Sequence, residues 1–116
     1  MKQIVSLVVT IALIANVEGA DWVDHQFAGC KTSYERDPHS AAKSTDWIGC
    51  YEQGDTPGVD TALAWEYVDP NNIAQGSLTG VCEFGSSIVD FYYFEDDGYT
   101  ILDSDLSQNA CGFGQG

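Results

Sequence analysis

Apolar positions in residues 20–116 fall in short runs broken by Gly, Pro, Asp and Asn, and within several runs they alternate with polar ones. A period of two sends successive side chains to opposite faces of a strand, so the pattern predicts an antiparallel β protein. Six segments carry it: 21–27, 47–53, 61–68, 78–84, 87–94 and 99–104. In the first, Val23, His25 and Phe27 oppose Trp22, Asp24 and Gln26. In the third, Leu63, Trp65 and Tyr67 oppose Ala62, Ala64 and Glu66. Trp47 and Trp65 are expected in the core. Trp22, between two aspartates, is the tryptophan expected to be exposed.

The run "FYYFEDDGYTILDSD" (residues 91–105) reads as a hairpin. Its strands would pair aromatic and β-branched side chains, and "EDDG" would turn the chain, with Gly98 taking a positive φ. Phe91, Tyr93, Phe94 and Ile101 are expected in the core, and Asp96 and Asp97 in solvent at the tip. In "DPHSAAKST", Asp37 suits a helix cap and Pro38 a first helical position, which predicts a short exposed helix over 38–46. "DPNN" at 69–72 predicts a turn. The expected fold is mainly β, a small antiparallel sandwich or barrel of about six strands with one short helix.

Residues 1–19 have the form of a cleaved signal peptide. Lys2 precedes an apolar stretch of 12 residues (4–15), and Val17 and Gly19 are the small residues of a cleavage site. A membrane-spanning helix needs about 20 apolar residues. Residues 20–116 would then form a single secreted domain of 97 residues. All four cysteines, Cys30, Cys50, Cys82 and Cys111, lie in that part, and an even number in a short secreted chain predicts two disulfides. Spacings of 20, 32 and 29 residues hold no paired zinc knuckle. Three connectivities are possible. The nested one, Cys30 with Cys111 and Cys50 with Cys82, is preferred because it ties both ends of the mature chain.

Charge narrows the partners. Eighteen acidic residues face four Lys and Arg, giving a formal net charge of −14, and no Lys, Arg or His follows Lys43. Such a chain repels phosphate backbones and anionic lipid surfaces, so neither nucleic acid nor membrane is an expected partner. Beyond solubility, the functional reading of this charge is a basic partner or bound cations.

Catalytic groupings are sparse. His25, Glu35, Arg36 and His39 are the residue types of a base, an acid and a phosphate-binding cation, and the size and acidity resemble those of small fungal guanyl-type ribonucleases. Those enzymes draw such residues from successive strands, whereas here all four lie within residues 25–39. Carboxylate pairs for glycoside hydrolysis can be drawn from Glu52, Glu66, Glu83 and Asp90, but among so many acids chance supplies them. An EF-hand register fails at the tip, because Tyr93 and Ser104 fall on ligand positions. "DDGYTI" (96–101) resembles the first five positions of the βγ-crystallin calcium motif, with Asp96, Asp97 and Thr100 as would-be ligands, and departs at Ile101. A solvated hairpin tip accounts for the same letters. No metal, cofactor or catalytic residue is assigned, and the candidate binding residues are Trp22, Asp96 and Asp97.

Taken across its length, the chain resembles the small secreted cysteine-containing proteins of filamentous fungi, the effector class. That resemblance implies a non-enzymatic binding protein, expected as a monomer, that acts outside the producing cell on a host or competitor protein or glycan, with translocation into host cells an extension of the same role. The alternatives are an extracellular carbohydrate- or calcium-binding module and a small secreted hydrolase. Intact-mass measurement of the secreted protein is expected to give a chain that starts at Ala20 and is four hydrogens lighter than its reduced form. Free thiols, or a mass that keeps residues 1–19, would contradict the compartment.

Overall fold

Seven strands form two antiparallel sheets in a computed structural model that describes residues 20–83 and 88–111. The leader assigned to residues 1–19 lies outside the described residues. Strands β1 (Trp22–Gln26), β2 (Lys31–Glu35) and β5 (Gln75–Thr79) make a three-stranded sheet in the order β1-β2-β5. Strands β3 (Trp47–Glu52), β4 (Ala64–Tyr67), β6 (Ile88–Phe94) and β7 (Ile101–Asn109) make a four-stranded sheet in the order β4-β3-β6-β7. The fold is thus mainly β, as the alternation predicts.

Period-two patterning explains the packing. Val23, Tyr34 and Leu78 of the first sheet meet Ile48, Val89, Phe91 and Tyr93 of the second in one buried core. Across the interface the His25 ring stacks on Phe91 with centroids 4.2 Å apart, and Tyr34 tilts against Tyr93 at 5.8 Å. Two disulfides also cross between the sheets. Cys30, in the β1–β2 turn, joins Cys111 beyond β7, and Cys50 of β3 joins Cys82 beyond β5. Their Cα separations of 5.5 and 6.0 Å lie in the usual range for the bond.

One edge is closed by side chains. The N–H groups of Val23 and His25 point away from β2 and donate to carboxylates of β7, Val23 to Asp103 at 2.9 Å and His25 to Asp105 at 2.8 Å. Carboxylates here take the place of a neighbouring strand's carbonyls.

Four expectations need correction. Strand β2 was not among the six segments, because "KTSYE" holds a single large apolar residue; its alternation lies in Thr32 and Tyr34, both buried. The helix over 38–46 is one 3₁₀ turn, His39–Ala41, since Pro38 (ψ 156°) and Ala42 (ψ 142°) are extended and Asp37 makes no side-chain cap. Gly98 does not supply the positive φ of the β6–β7 turn. Asp96 (φ 49°) and Asp97 (φ 61°) do, giving the two left-handed central residues of a type I′ turn closed by Gly98 N–H donating to Glu95 O. Ile101, expected in the core, is half exposed at 49%. A register shift between Tyr93 and Phe94 separates Ile101 from the inward-facing set.

Asp46 fastens the end of the sandwich away from the disulfides. It is fully buried. One carboxylate oxygen accepts from Arg36 Nη1 at 2.9 Å and from the Lys43 N–H at 3.0 Å, and the other accepts from the Asp96 N–H at 2.9 Å. Arg36, itself buried, also pairs with Asp21 at 3.2 Å and lies 3.6 Å from Glu95. Replacing Asp46 by Ala leaves a buried guanidinium and two N–H groups short of an acceptor, and one-sided removal of a buried ion pair costs about 3–5 kcal/mol. Urea denaturation of Asp46→Ala is expected to show a loss in that range. A loss under about 1 kcal/mol, the value of a surface pair, would contradict this role.

Candidate functional site: an aromatic, acidic cleft

The four-stranded sheet buries aromatic side chains on both faces. On the face turned from the core, cross-strand register places Trp47 beside Phe94 and Tyr67, and Gly49 beside Tyr92 and Trp65. Trp47 stacks on Phe94 at 4.1 Å, and Tyr51 meets Phe94 edge-on at 6.2 Å. Gly49 is what lets them close up. A Cβ there would lie 2.9 Å from the Trp47 ring and 3.0 Å from that of Tyr51, so any larger residue would push the two rings apart.

An open cleft of about 500 Å³ lies over this second aromatic layer. Trp47 and Tyr51 line it from β3, and Trp65 and Tyr67 from β4. Residues 58–62 of the β3–β4 loop form its rim. That loop is shaped by a turn in which Thr56 O accepts from Val59 and Asp60, while the Asp60 carboxylate accepts from the Thr56 N–H at 2.7 Å. Gly58, at φ 89°, faces the Tyr99 ring, which a Cβ would approach to 3.5 Å. The β6–β7 turn completes the cleft with Asp97 and Tyr99.

That turn is docked. The Trp47 indole N–H donates to Gly98 O at 3.0 Å, Tyr67 O–H donates to Asp97 Oδ1 at 2.6 Å, and Thr45 O–H donates to Asp96 Oδ1 at 2.7 Å. The aspartates expected as a free solvated tip therefore hold it against β3 and β4. Their carboxylates engage different hydroxyls, and no cluster of three or more metal-binding side chains occurs among the described residues.

Neighbouring rings meet nearly at right angles: Trp47 and Trp65 at 73°, Trp65 and Tyr67 at 85°, Trp47 and Tyr99 at 81°. Trp65 is 53% exposed and Tyr99 58%. The site is also electronegative, lined by Asp60 and Asp97 and by no cationic side chain. Partial burial, followed by the charges of Asp60, Glu52 and Asp90, raises the Asp55 carboxyl above its usual range beside the rim. Burial, then Tyr99 and Tyr92, pushes the Tyr51 hydroxyl up to about 12, and the hydrogen bond to Asp97 raises that of Tyr67. Both of these hydroxyls remain protonated near neutrality.

The tryptophan assignments exchange places. Trp47 is buried as expected, but Trp65 is exposed in the cleft. Trp22 is half buried, its indole N–H donating to Glu35 at 3.0 Å, and it does not line the cleft. Of the three candidate binding residues, Asp97 alone does. The alternation of Leu63, Trp65 and Tyr67 was the available signal, and it gave their common face without saying which layer that face met.

The ribonuclease-type set does not come together. Glu35 and His39 touch at 2.7 Å on the surface, while Arg36 is engaged by Asp21 and Asp46. His25 is buried, with Nδ1 3.0 Å from the Thr32 hydroxyl and Nε2 4.0 Å from the Cys111 sulfur. Asp90, drawn earlier as a glycosidase carboxylate, is buried and accepts from the N–H groups of Gly54 and Ser107 at 3.0 and 2.9 Å. Comparison of the chain with protein-family models, characterised proteins and solved structures finds no match.

Burial lowers the His25 pKa from 6.5, against the raising effects of the Asn109 carbonyl and the Asp105 and Asp24 carboxylates. The unfolded ring takes up a proton near 6.5 and the folded ring only at lower pH. Its contribution to stability is therefore full above that value and is lost as pH falls toward the folded pKa. An NMR titration is expected to place the His25 midpoint below 6.5. A midpoint at or above it would mean that the ring is solvated or stabilised as imidazolium.

Proposed function

We propose that the protein acts outside the cell that makes it, as an effector-type binding protein directed at a host or competitor molecule, and that it binds through the aromatic cleft. The observation that carries this reading is the exposure of Trp65, Tyr67 and Tyr99 around one opening on an otherwise stapled sandwich. Large aromatic side chains left in solvent beside polar groups mark recognition surfaces. Two inter-sheet disulfides fit an oxidising compartment. No helix among the described residues is long and apolar enough to cross a membrane. A glycan-binding module is the second reading, favoured by the same aromatic rings, whose faces suit the apolar side of a sugar.

Tryptophan fluorescence and NMR titration against a panel of neutral oligosaccharides, basic peptides and calcium would test the proposal, with product formation followed in each sample. The expected result is a ligand that shifts signals of Trp65, Tyr67 and Tyr99, remains chemically unchanged, and binds Trp65→Ala about tenfold or more weakly. Turnover of a panel member would favour the hydrolase alternative. Binding mapped to another surface, or none across the panel, would remove the cleft from the proposal.

A further inference from the structure

Resting on the cleft being a binding site, we infer that its ligand is cationic: an arginine-bearing segment of a basic protein, with the guanidinium held between ring faces and carboxylates. Two independent features point there, one geometric and one electrostatic.

Ring geometry comes first. A run of sugar units stacks best on ring faces lying in a common plane. Here successive rings turn by 73° to 85° from one another. Such rings form walls around a compact group rather than a platform beneath an extended one. A cation over an aromatic face is attracted by the ring quadrupole, most strongly for Trp. Arginine is also planar and weakly hydrated, so it can lie against one ring while its N–H groups point outward in the ring plane.

Charge supplies the second feature. The Asp97 carboxylate uses Oδ1 for the Tyr67 hydroxyl, and its Oδ2 makes no protein hydrogen bond among the described residues. Asp60, on the β3–β4 loop that also lines the cleft, uses Oδ2 for the Thr56 N–H, and its Oδ1 makes no protein hydrogen bond among the described residues. A guanidinium, with donors and no acceptor, matches two such acceptors. No Lys, Arg or His lines the cleft, and none occurs from Ser44 onward, where every cleft-lining residue lies. The cleft therefore has no internal cation to neutralise it, within a chain of formal net charge −14 that draws basic partners from a distance.

The test uses the full oxidised protein and three probes. They are a glycine-rich peptide carrying several arginines, the same peptide with citrulline at those positions, and a neutral hexasaccharide. Citrulline keeps the shape and removes the charge. The arginine peptide is expected to shift the Trp65 and Tyr99 signals and to bind about tenfold more tightly than the citrulline peptide. Its binding should weaken severalfold between about 50 and about 300 mM salt. Trp65→Ala should weaken it about tenfold. Asp97→Asn, which keeps an acceptor for Tyr67, should weaken it severalfold, with thermal melts confirming that both variants fold. Equal binding of arginine and citrulline peptides would overturn the inference. So would arginine binding indifferent to Trp65→Ala, which would be attraction to net charge alone. If the hexasaccharide shifts Trp65 and the arginine peptide does not, the cationic ligand is wrong and the cleft stands. If no probe perturbs the cleft, both fall.

Discussion

The buried carboxylate of Asp46 is the contact on which the architecture of the cleft depends. It sits one residue before Trp47 and gathers groups from distant parts of the chain: the Arg36 guanidinium, the Lys43 N–H, and the Asp96 N–H of the β6–β7 turn. Its own carbonyl accepts from Val68, the residue after β4. Through this one residue the strand bearing Trp65 and Tyr67 and the turn bearing Asp97 and Tyr99 are brought to the same end of β3. A charge so placed tolerates little displacement, because each bond it loses leaves a buried partner without an acceptor.

The fold divides the work between its two ends. Near the β1–β2 turn the disulfides are covalent and indifferent to solvent, and Cys111 and Cys82 are further joined by a backbone hydrogen bond of 3.0 Å. At the Asp46 end the fastening is polar, and there the chain displays its exposed rings. A domain this small has a limited core, and the covalent links compensate for aromatic surface that it leaves in water.

Much of this was legible in the sequence, for a reason that also marks its limit. Alternation reports which residues share a face. It placed Val23 with His25, Phe91 with Tyr93, and Trp65 with Tyr67, and each pair does share a face. Alternation is silent on what covers that face. Phe91 and Tyr93 meet the other sheet, whereas Trp65 and Tyr67, on a four-residue edge strand, meet an outer aromatic layer and then solvent. The charged turn misled in a different way: three successive acids look like a solvated tip, and nothing local reveals that Thr45, 51 residues from Asp96, supplies a hydroxyl. Strand β2 escaped notice because threonine at position 32 does the packing that a larger apolar residue usually signals.

Asp103 and Asp105 bear on how copies of this protein coexist. An unpaired strand edge is a template on which a second chain can grow, and repeated addition yields fibrils. In β1 the outward N–H groups of Val23 and His25 are already occupied by side chains that cannot propagate a ladder, since a carboxylate offers acceptors and no donor to pass on. The two negative charges also sit where an approaching copy would bring its own. A chain so rich in aspartate thus carries, along this edge, its own barrier to polymerisation.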